Sequence, residues 1–327
     1  MRPADAERGA ALLTVLLMVS IIAVLAATAL EKLRLSTRLA ANAGATEQAR
    51  AYAQAAETLA LVRIEAQLAQ KPDRISLAGG WSGRPFPLPI EGGTATARVT
   101  DGVNCFNLNG LVTQTAPGLY ALNVGEVRTF ARLMRLVGVP AQNAEQIALA
   151  AGDWIDSDTV PTAGGGAEDA SYAADAPYRP GNTLMADPSE LRAVLGVTPA
   201  LYEQVRPWIC TLPQAKPTRI NLDTLAPEQA PLVAMLAEDG VPATAMQATL
   251  LNRPPQGYSN VGEFWSAPTL AALKGVGDAQ GQTAVTTGWF ALAVDVSLNG
   301  AQVHERGLID ATRLPPRLVS RQWGEAS

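Results

Sequence analysis

The feature that most constrains this chain is an uncharged, mostly apolar stretch near its N-terminus, Ala10–Leu30. As an α-helix, a segment of this length spans roughly 30 Å, the thickness of the hydrocarbon core of a bilayer. Polar residues precede it up to Arg8-Gly9, and charged residues follow from Glu31 onward. The segment therefore predicts a membrane-spanning or membrane-targeting helix.

Three interpretations of this segment are open. In the first interpretation, the segment is a secretory signal peptide, for which Ala27-Thr28-Ala29 offers a cleavage site. In the second, it is a plain membrane anchor. In the third, it follows a short leader that is cut after Gly9, before the apolar segment.

The residues after the apolar segment favour the third interpretation. Between Leu30 and Gln70 the chain is rich in alanine, lacks proline and has one glycine, Gly44, so its helix propensity is high. Apolar residues then recur at steps of three and four and predict one apolar stripe: Tyr52, Ala55, Leu59, Val62 and Ala66. The span continues in phase into an amphipathic helix of about 60 residues, roughly 90 Å long. A signal peptide that is removed has no reason to continue in this way.

Composition limits the chemistry of the rest of the chain. His304 is the one histidine, so a Ser-His-Asp or Cys-His site would have to use it, and a zinc site would need it together with cysteines and carboxylates. We interpret His304 as a structural residue, at the surface or half-buried. The net charge of −5 argues against nucleic acid or an anionic lipid surface as the main partner.

The sequence after the stem helix predicts a head that contains both strands and helices. Residues 71–93 are rich in proline and glycine and predict a loop. Thr94–Thr100 alternates as a short strand, and Cys105–Asn109 reads as another strand or its end. From Asn123 to about Pro213 the period is helical, with helices predicted at 124–137, 144–155, 188–195 and 199–209.

The chain is predicted to close with an antiparallel hairpin. Further helices are expected near 226–238, 242–252 and 260–273. Trp289–Leu298 then places five apolar residues on one face: Phe290, Leu292, Val294, Val296 and Leu298. Asn299-Gly300 is typical of a two-residue turn, and Ala301–Ala311 returns. The predicted fold class is α+β, with a long N-terminal helix, an antiparallel sheet and an inserted all-helical domain.

The N-terminal sequence resembles a known family. Arg8-Gly9 followed by Ala-Ala-Leu-Leu-Thr-Val-Leu-Leu-Met-Val is similar to the start of K-type minor pseudopilins of type II secretion systems, the GspK family. Further short motifs in the same order extend the resemblance over nearly the whole chain: Phe106-Asn107-Leu108-Asn109, Asp153-Trp154-Ile155-Asp156-Ser157-Asp158, Gly166-Ala167-Glu168-Asp169, Pro177-Tyr178, Asp187-Pro188-Ser189-Glu190-Leu191 and Ile220-Asn221-Leu222-Asp223-Thr224.

The resemblance implies a processing site and a domain plan. Prepilin peptidase would cut between Gly9 and Ala10, and the new amine of Ala10 would be methylated. The implied plan is a pilin-like α+β head interrupted by an α-domain: leader 1–9, transmembrane stem 10–30, periplasmic stem 31–70, first part of the head 71–122, inserted helical domain 123–213 and second part of the head 214–327.

The resemblance also implies a function. The chain would be a single-pass protein of the bacterial inner membrane with its head in the periplasm, and an assembly part rather than an enzyme. It would cap the tip of a periplasmic pseudopilus that promotes export of folded proteins across the outer membrane. Its partners would be the I- and J-type minor pseudopilins, the major pseudopilin, prepilin peptidase and the inner membrane, with no nucleic acid and no small-molecule substrate.

Thr14 departs from the pattern of ordinary pilins. Most of them carry glutamate at this fifth position of the mature chain, where it neutralises the N-terminal ammonium of the subunit ahead. A buried charge without a partner is costly, and a subunit at the tip has no subunit ahead of it. Thr14 therefore fits a tip location; the alternative is a tolerated membrane residue.

A cluster of acidic residues follows the predicted second helix of the insertion. Asp153, Asp156 and Asp158 precede a glycine-rich loop that leads to Glu168-Asp169. Such hard oxygen ligands suit calcium, although the spacing is not that of an EF-hand. A solvated acidic loop is the alternative. Because the K-type family is associated with calcium in its head, we predict a calcium site formed by Asp156, Asp158, Glu168 and Asp169.

Cys105 and Cys210 flank the predicted insertion. In a periplasmic head a structural disulfide is expected between them; two buried free thiols are the alternative.

Two other function classes stay open. Leu273-Lys274-Gly275-Val276-Gly277 resembles the turn of a helix-hairpin-helix DNA-binding motif, which would suit a DNA-uptake pseudopilus component, but Asp278 follows it instead of a basic residue. We interpret it as a helix-packing turn. A membrane-anchored hydrolase would have to use the acidic loop in an enclosed pocket.

Overall fold

The computed structural model describes residues 4–71, 73–173, 178–237, 242–271 and 278–324. It begins with a single helix, α1 (Ala4–Gln70), of 67 residues. This confirms the predicted continuous stem. Where α1 meets the head, its buried apolar residues recur every three or four positions and are mostly alanines: Ala45, Ala49, Ala53, Ala56, Ala60, Ile64 and Leu68. Small side chains on this face allow a sheet to approach the helix backbone closely.

The predicted apolar stripe on α1 was wrong as the face that packs the head. Ala55, Val62 and Ala66 are exposed, while Tyr52 and Leu59 are half-buried. The buried alanine row lies about a third of a turn away round the helix. The prediction relied on hydrophobicity and so chose the larger apolar side chains. In the structure, close packing on the sheet buries the small alanine side chains instead.

The strands, in chain order, are β1 (Phe86–Leu88), β2 (Gly93–Asp101), β3 (Phe106–Asn107), β4 (Val112–Ala116), β5 (Leu119–Leu122), β6 (Ile209–Cys210), β7 (Ile220–Asn221), β8 (Thr283–Ala284), β9 (Trp289–Leu298), β10 (Ala301–Asp310) and β11 (Arg317–Trp323). Five of them form an antiparallel sheet in the order β1-β2-β9-β10-β11, which packs on α1. The predicted strand at 94–100 and the final hairpin are confirmed. β1 lies in a segment predicted as loop, and β11 was not predicted.

The final hairpin has the predicted inner face. Phe290, Leu292, Val294, Val296 and Leu298 are all buried against the stem. The turn residues Asn299 and Gly300 have φ angles of 48° and 86°, as a tight turn between twisted strands requires. The long helix on an antiparallel sheet is the pilin-like α+β arrangement that the resemblance implies.

The helices after the stem are α2 (Val124–Leu136), α3 (Ala141–Asp153), α4 (Asp169–Tyr172), α5 (Pro199–Val205), α6 (Pro231–Ala234), α7 (Ala243–Leu251), α8 (Val261–Trp265) and α9 (Pro268–Ala271). The first two helices of the insertion are therefore confirmed. The predicted helix at 188–195 is instead a 3-10 helix over Pro188–Ala193. Prolines divide the predicted helices at 226–238 and 260–273: α6 begins at Pro231 and α9 at Pro268.

All of these helices lie in one inserted unit. β2 and β9 are neighbours in the sheet, so the chain between them, residues 102–288, leaves the sheet and returns to it. Residues from Phe106 to Ala279 share one hydrophobic core. Segment 214–288, which the sequence assigns to the second part of the head, thus packs with segment 123–213. Both segments contribute buried residues to this core.

Buried asparagines explain one of the motifs that carry the resemblance. Asn107 Nδ2 donates to the carbonyls of Gln214 and Lys216, at 3.1 and 2.8 Å. Asn109 Nδ2 donates to the carbonyls of Met185 and Leu212, both at 2.9 Å. These side chains satisfy irregular backbone that has no strand partner there.

The Ile220–Thr224 motif joins the inserted unit to the five-stranded sheet by hydrogen bonds. At the end of β2, Asp101 Oδ2 accepts hydrogen bonds from Asn221 Nδ2 at 2.9 Å and from Thr224 Oγ1 at 2.6 Å. Burial raises the pKa of Asp101, and these hydrogen bonds partly offset the rise.

Candidate functional site

In the N-terminal half of α1, every residue from Ala10 to Gly44 is exposed. The region 10–70 contains an 18-residue window with a mean hydropathy of 2.8, which is long and apolar enough to cross a membrane. The helix runs without a break through the Gly9-Ala10 junction. Of the predicted leader, residues 1–3 lie outside the described part of the chain. Thr14 Oγ1 donates to the carbonyl of Ala11 at 2.9 Å, so its own helix satisfies the hydroxyl.

The acidic loop brings three of its four predicted calcium ligands together. Oxygen atoms of Asp156, Asp158 and Glu168 lie within 4.8 Å of one another. Asp156 follows the end of α3, where its backbone N–H still bonds to the carbonyl of Gly152 at 3.0 Å. Asp169 lies outside the group; it begins α4 and forms an ion pair with Arg179 at 3.5 Å.

Two of the three carboxylates in this cluster, those of Asp156 and Glu168, are buried without a compensating partner among the described residues, whereas Asp158 is exposed. Asp156 and Glu168 are 3% and 2% exposed, and Asp156 Oδ1 and both carboxylate oxygens of Glu168 lack a hydrogen-bond partner among the described residues. Burial, followed by the nearby negative charges, raises the pKa of each carboxyl to about 7. Such orphaned buried oxygens fit a divalent cation, which would supply the missing positive charge.

The loop that carries Glu168 is held by Asp153, which lies beside the cluster. Its carboxylate accepts a hydrogen bond from the backbone N–H of Thr162 at 2.9 Å and another from Thr162 Oγ1 at 2.6 Å. Gly166 packs so closely on this pair that a Cβ atom there would overlap Asp153 Oδ2 and the backbone of Thr162. Asp153 therefore positions the loop.

Two further contacts position the cluster, and the sequence did not reveal them. Ser157 exchanges two hydrogen bonds with Tyr120 of β5: its backbone N–H donates to the carbonyl at 3.0 Å, and its Oγ accepts from the amide at 2.9 Å. Asn182, whose φ is 45°, donates from Nδ2 to the carbonyl of Asp158 at 3.2 Å. Asn182 Oδ1 is buried without a partner in the described structure. An isolated asparagine in a loop carries no sequence signal for this role.

A disulfide joins Cys105 and Cys210 in the structure, with a Cα–Cα distance of 5.7 Å. Cys105 precedes β3, and Cys210 ends β6, which pairs with β3 in parallel. The bond thus lies at the start of the inserted unit and joins segments separated by 105 positions.

The remaining predicted features lie away from the acidic cluster. His304 is half-buried on β10, and its Nδ1 lies 2.7 Å from Oδ1 of Asp295, its cross-strand neighbour. This matches the expected structural role. Pro177 of the Pro177-Tyr178 motif and the turn at Leu273–Gly277 lie outside the described residues.

The sequence of the inserted unit matches models of a known protein family. Two family models described as "Type II secretion system (T2SS), protein K" match residues 104–214 and 220–287, together more than half of the chain. The matches coincide with the segment between β2 and β9.

Relatives of known name extend this similarity to the whole chain. The type II secretion system protein K of Pectobacterium carotovorum subsp. carotovorum is 30% identical over 320 residues, which is 97% of each chain. The protein K of Aeromonas hydrophila is 34% identical over 257 residues, 77% of each chain. That of Klebsiella pneumoniae is 31% identical over 319 residues, again 97% of each chain.

A solved structure shares the fold. One chain from the crystal structure of the GspK-GspI-GspJ complex of the enterotoxigenic Escherichia coli type 2 secretion system superposes with a TM-score of 0.74 and 28% identity. The match covers 86% of this chain and 97% of the other. From its stem, its pilin-like sheet and the helical unit inserted between two strands, this chain belongs to the type II secretion system protein K family and is a K-type minor pseudopilin.

Proposed function

We propose that the protein caps the tip of a periplasmic pseudopilus and acts as an assembly part, with its stem anchored in the bacterial inner membrane and its head in the periplasm. The observation that carries this proposal is the unbroken helix α1, whose first half is exposed and whose second half packs the sheet. An apolar helix segment that is exposed among the described residues fits a bilayer before assembly and other stems afterwards.

The assembly partners we propose are the I- and J-type minor pseudopilins and then the major pseudopilin. The solved relative lies in a complex with GspI and GspJ. The row that does not pack the sheet, through Ala55, Val62 and Ala66, offers an exposed apolar surface for a second helix; Val62 is 57% exposed. Helix packing through such rows needs no further fold element.

Thr14 supports the tip position. It carries no charge, and its hydroxyl bonds to its own helix. A subunit with this residue needs no cation from a subunit ahead of it. We also propose that prepilin peptidase cuts between Gly9 and Ala10 and that the amine of Ala10 is methylated.

We further propose that the cluster of Asp156, Asp158 and Glu168 binds calcium and that Cys105 and Cys210 are oxidised in the periplasm. Calcium would supply positive charge to the orphaned oxygens and fix the loop from Asp156 to Glu168 on the helical unit. The disulfide would fix the start of the same unit.

N-terminal analysis of the protein purified from membranes tests the processing. A chain that begins with methylated Ala10 supports the proposal, whereas a chain that begins near Leu30 contradicts it.

Co-purification with the I- and J-type pseudopilins tests the assembly surface. Val62→Arg should reduce the recovered complex at least fivefold, because a charge would enter the stem interface. Gln54→Arg places the same charge on a different exposed face of α1 and should leave recovery unchanged. Equal recovery with both variants would rule out this stem surface.

Secretion measured with Thr14→Glu tests the tip position. At a tip, the new carboxylate has no partner, so secretion should fall. Secretion that is unchanged or increased would place the subunit in the body of the fibre.

A further inference from the structure

Two adjoining cavities lie where the end of the stem meets the loop before β1. The first has a volume of about 410 Å³ and the second about 370 Å³. Both are lined by Arg63, Gln67, Gly79 and Trp81, so they form one continuous groove. We name it the stem-loop groove.

The charge of the stem-loop groove is one-sided. Its lining contains four cationic side chains, Arg63, Lys71, Arg74 and Arg84, and no carboxylate among the described residues. None of the four forms an ion pair in the described structure. The whole chain has a net charge of −5, so this concentration of positive charge opposes the overall balance. Asp223 interacts electrostatically with Arg74 from outside the groove, and neither it nor Glu65 or Asp73 lines the groove.

One of these cations, Arg63, lies over an aromatic ring at the base of the groove. The guanidinium of Arg63 lies 4.4 Å from the ring centroid of Phe86. Trp81 is fixed by a hydrogen bond from its Nε1 to the carbonyl of Ser76 at 2.7 Å and by an edge contact with Phe290. Arg63 and Arg84 themselves are exposed. A guanidinium stacked on a ring keeps its N–H donors free for a carboxylate.

The shape of the groove suits an extended chain. Its rim includes Gly79 and Gly80, whose φ angles are 85° and 64° and which have no atom within 4 Å of a Cβ position. Glycines there leave the backbone open to a second backbone. Pro85 and Pro87 on the other side lack N–H donors, so recognition would rest on the side-chain cations.

We propose that the stem-loop groove binds an extended acidic segment of a partner protein, with carboxylates on Arg63 and Arg84 and an apolar side chain against Trp81. A lipid headgroup does not fit, because Arg63 lies about 50 Å along the helix beyond Leu30, where the apolar segment ends. The proposal goes beyond the tip function and does not depend on which pseudopilins the stem packs.

Binding of a fluorescein-labelled deca-glutamate peptide to the detergent-solubilised full chain tests the proposal by fluorescence anisotropy. The wild type should bind it, and Arg63→Gln with Arg84→Gln should raise the Kd at least tenfold. The matched control is Arg38→Gln with Arg98→Gln, which removes two exposed charges from the stem and from β2 outside the groove lining; it should change the Kd less than twofold.

Three results would overturn the proposal. The first is failure of the wild type to bind the peptide. The second is an equal loss of binding in the two double variants, which would indicate that net charge alone drives binding. The third is binding of labelled oligothymidylate as tightly and with the same dependence on Arg63 and Arg84, which would indicate a nucleic acid as the ligand. Arg63→Lys with Arg84→Lys, which keeps both charges, should retain part of the affinity and serves as a second variant if the glutamine pair unfolds.

Discussion

Arg321 of β11 donates two hydrogen bonds, from Nε at 3.1 Å and from Nη2 at 2.5 Å, to Oε2 of Glu57 on the stem, 264 positions away in sequence. The same guanidinium lies 3.5 Å from Glu305 of β10. The side chain of Glu305 is fully buried, and its oxygens have no hydrogen-bond partner in the described part of the chain. One arginine thus serves two carboxylates at the junction of stem and sheet.

Loss of this arginine should destabilise the junction. Arg321→Ala leaves two carboxylates facing each other without a cation, which typically costs several kcal/mol when the charges are buried. Because Arg321 is partly exposed, we expect a decrease of about 2 kcal/mol in the free energy of unfolding, measured by urea denaturation. Arg317→Ala on the same strand should change it by less than about 0.5 kcal/mol. Equal effects would show that the ion pairs contribute nothing.

The stability of this junction should depend on pH. Burial, followed by the charge of Glu57, raises the pKa of Glu305 from 4.5 to about 7. Since the folded state binds the proton more tightly than the unfolded state, the stabilisation is fully present below pH 4.5 and is lost as the pH rises through about 7.

The Glu305→Gln variant tests that sign. Glutamine resembles the protonated acid, so the variant should match the wild type near pH 5 and be more stable by about 2 kcal/mol at pH 8. Glu91→Gln, at an exposed position, should show no such change between the two pH values. A difference between Glu305→Gln and wild type that does not vary with pH would contradict the assignment.

Calcium should stabilise the head through three carboxylates. At a concentration about 100 times its Kd, a ligand adds about 2.7 kcal/mol, which corresponds to a rise of about 5 °C in Tm. Asp156→Asn should abolish the rise because it removes a buried ligand oxygen. Asp169→Asn should retain it, since Asp169 pairs with Arg179 instead. A Tm that is the same in calcium and in chelator would exclude the site.

The loop beneath that site should not tolerate a side chain at Gly166. Gly166→Ala places a Cβ against Asp153 Oδ2 and the backbone of Thr162, so the loop must move. We expect a loss of about 2 kcal/mol in unfolding free energy together with weaker calcium binding. Gly281→Ala is the control, because a Cβ there has no atom within 4 Å. Unimpaired calcium binding by Gly166→Ala would show that the loop does not set the geometry.

Removal of the disulfide should lower stability strongly. Closing a loop of about 100 residues stabilises the folded state by about 4 kcal/mol in the chain-entropy model. The variant Cys105→Ala with Cys210→Ala should lose a similar amount, and a reductant should reduce the stability of the wild type but not of this variant. Two free thiols found by mass spectrometry in protein isolated without reductant would contradict the pairing.

Strong local signals made much of the fold predictable. The uncharged run and the alanine-rich stretch predicted α1, and Asn299-Gly300 between two alternating runs predicted the hairpin. The packing face of α1 was not predictable from hydrophobicity, since Ala53 and Ala60 are buried where Val62 is exposed. Steric fit to a sheet that is distant in sequence decides that choice.

The acidic site was also predictable only in part. Asp156, Asp158 and Glu168 are close in sequence, so composition pointed to them. Whether Asp169 faced the same way depended on the turn that starts α4, and the part played by Asn182 depended on a loop returning from elsewhere in the chain. Such relationships arise from tertiary folding and produce no periodic pattern in the sequence.

The register of the sheet has a consequence for the order of folding. Asp101 at the end of β2 lies opposite Phe290 of β9, although the whole inserted unit separates them along the chain. Bringing two such distant residues together from a disordered chain costs loop-closure entropy, which falls if the intervening chain is already compact. We therefore expect the inserted unit to fold first and to bring β2 and β9 together, so that the five-stranded sheet forms last and packs on a stem helix that has already formed.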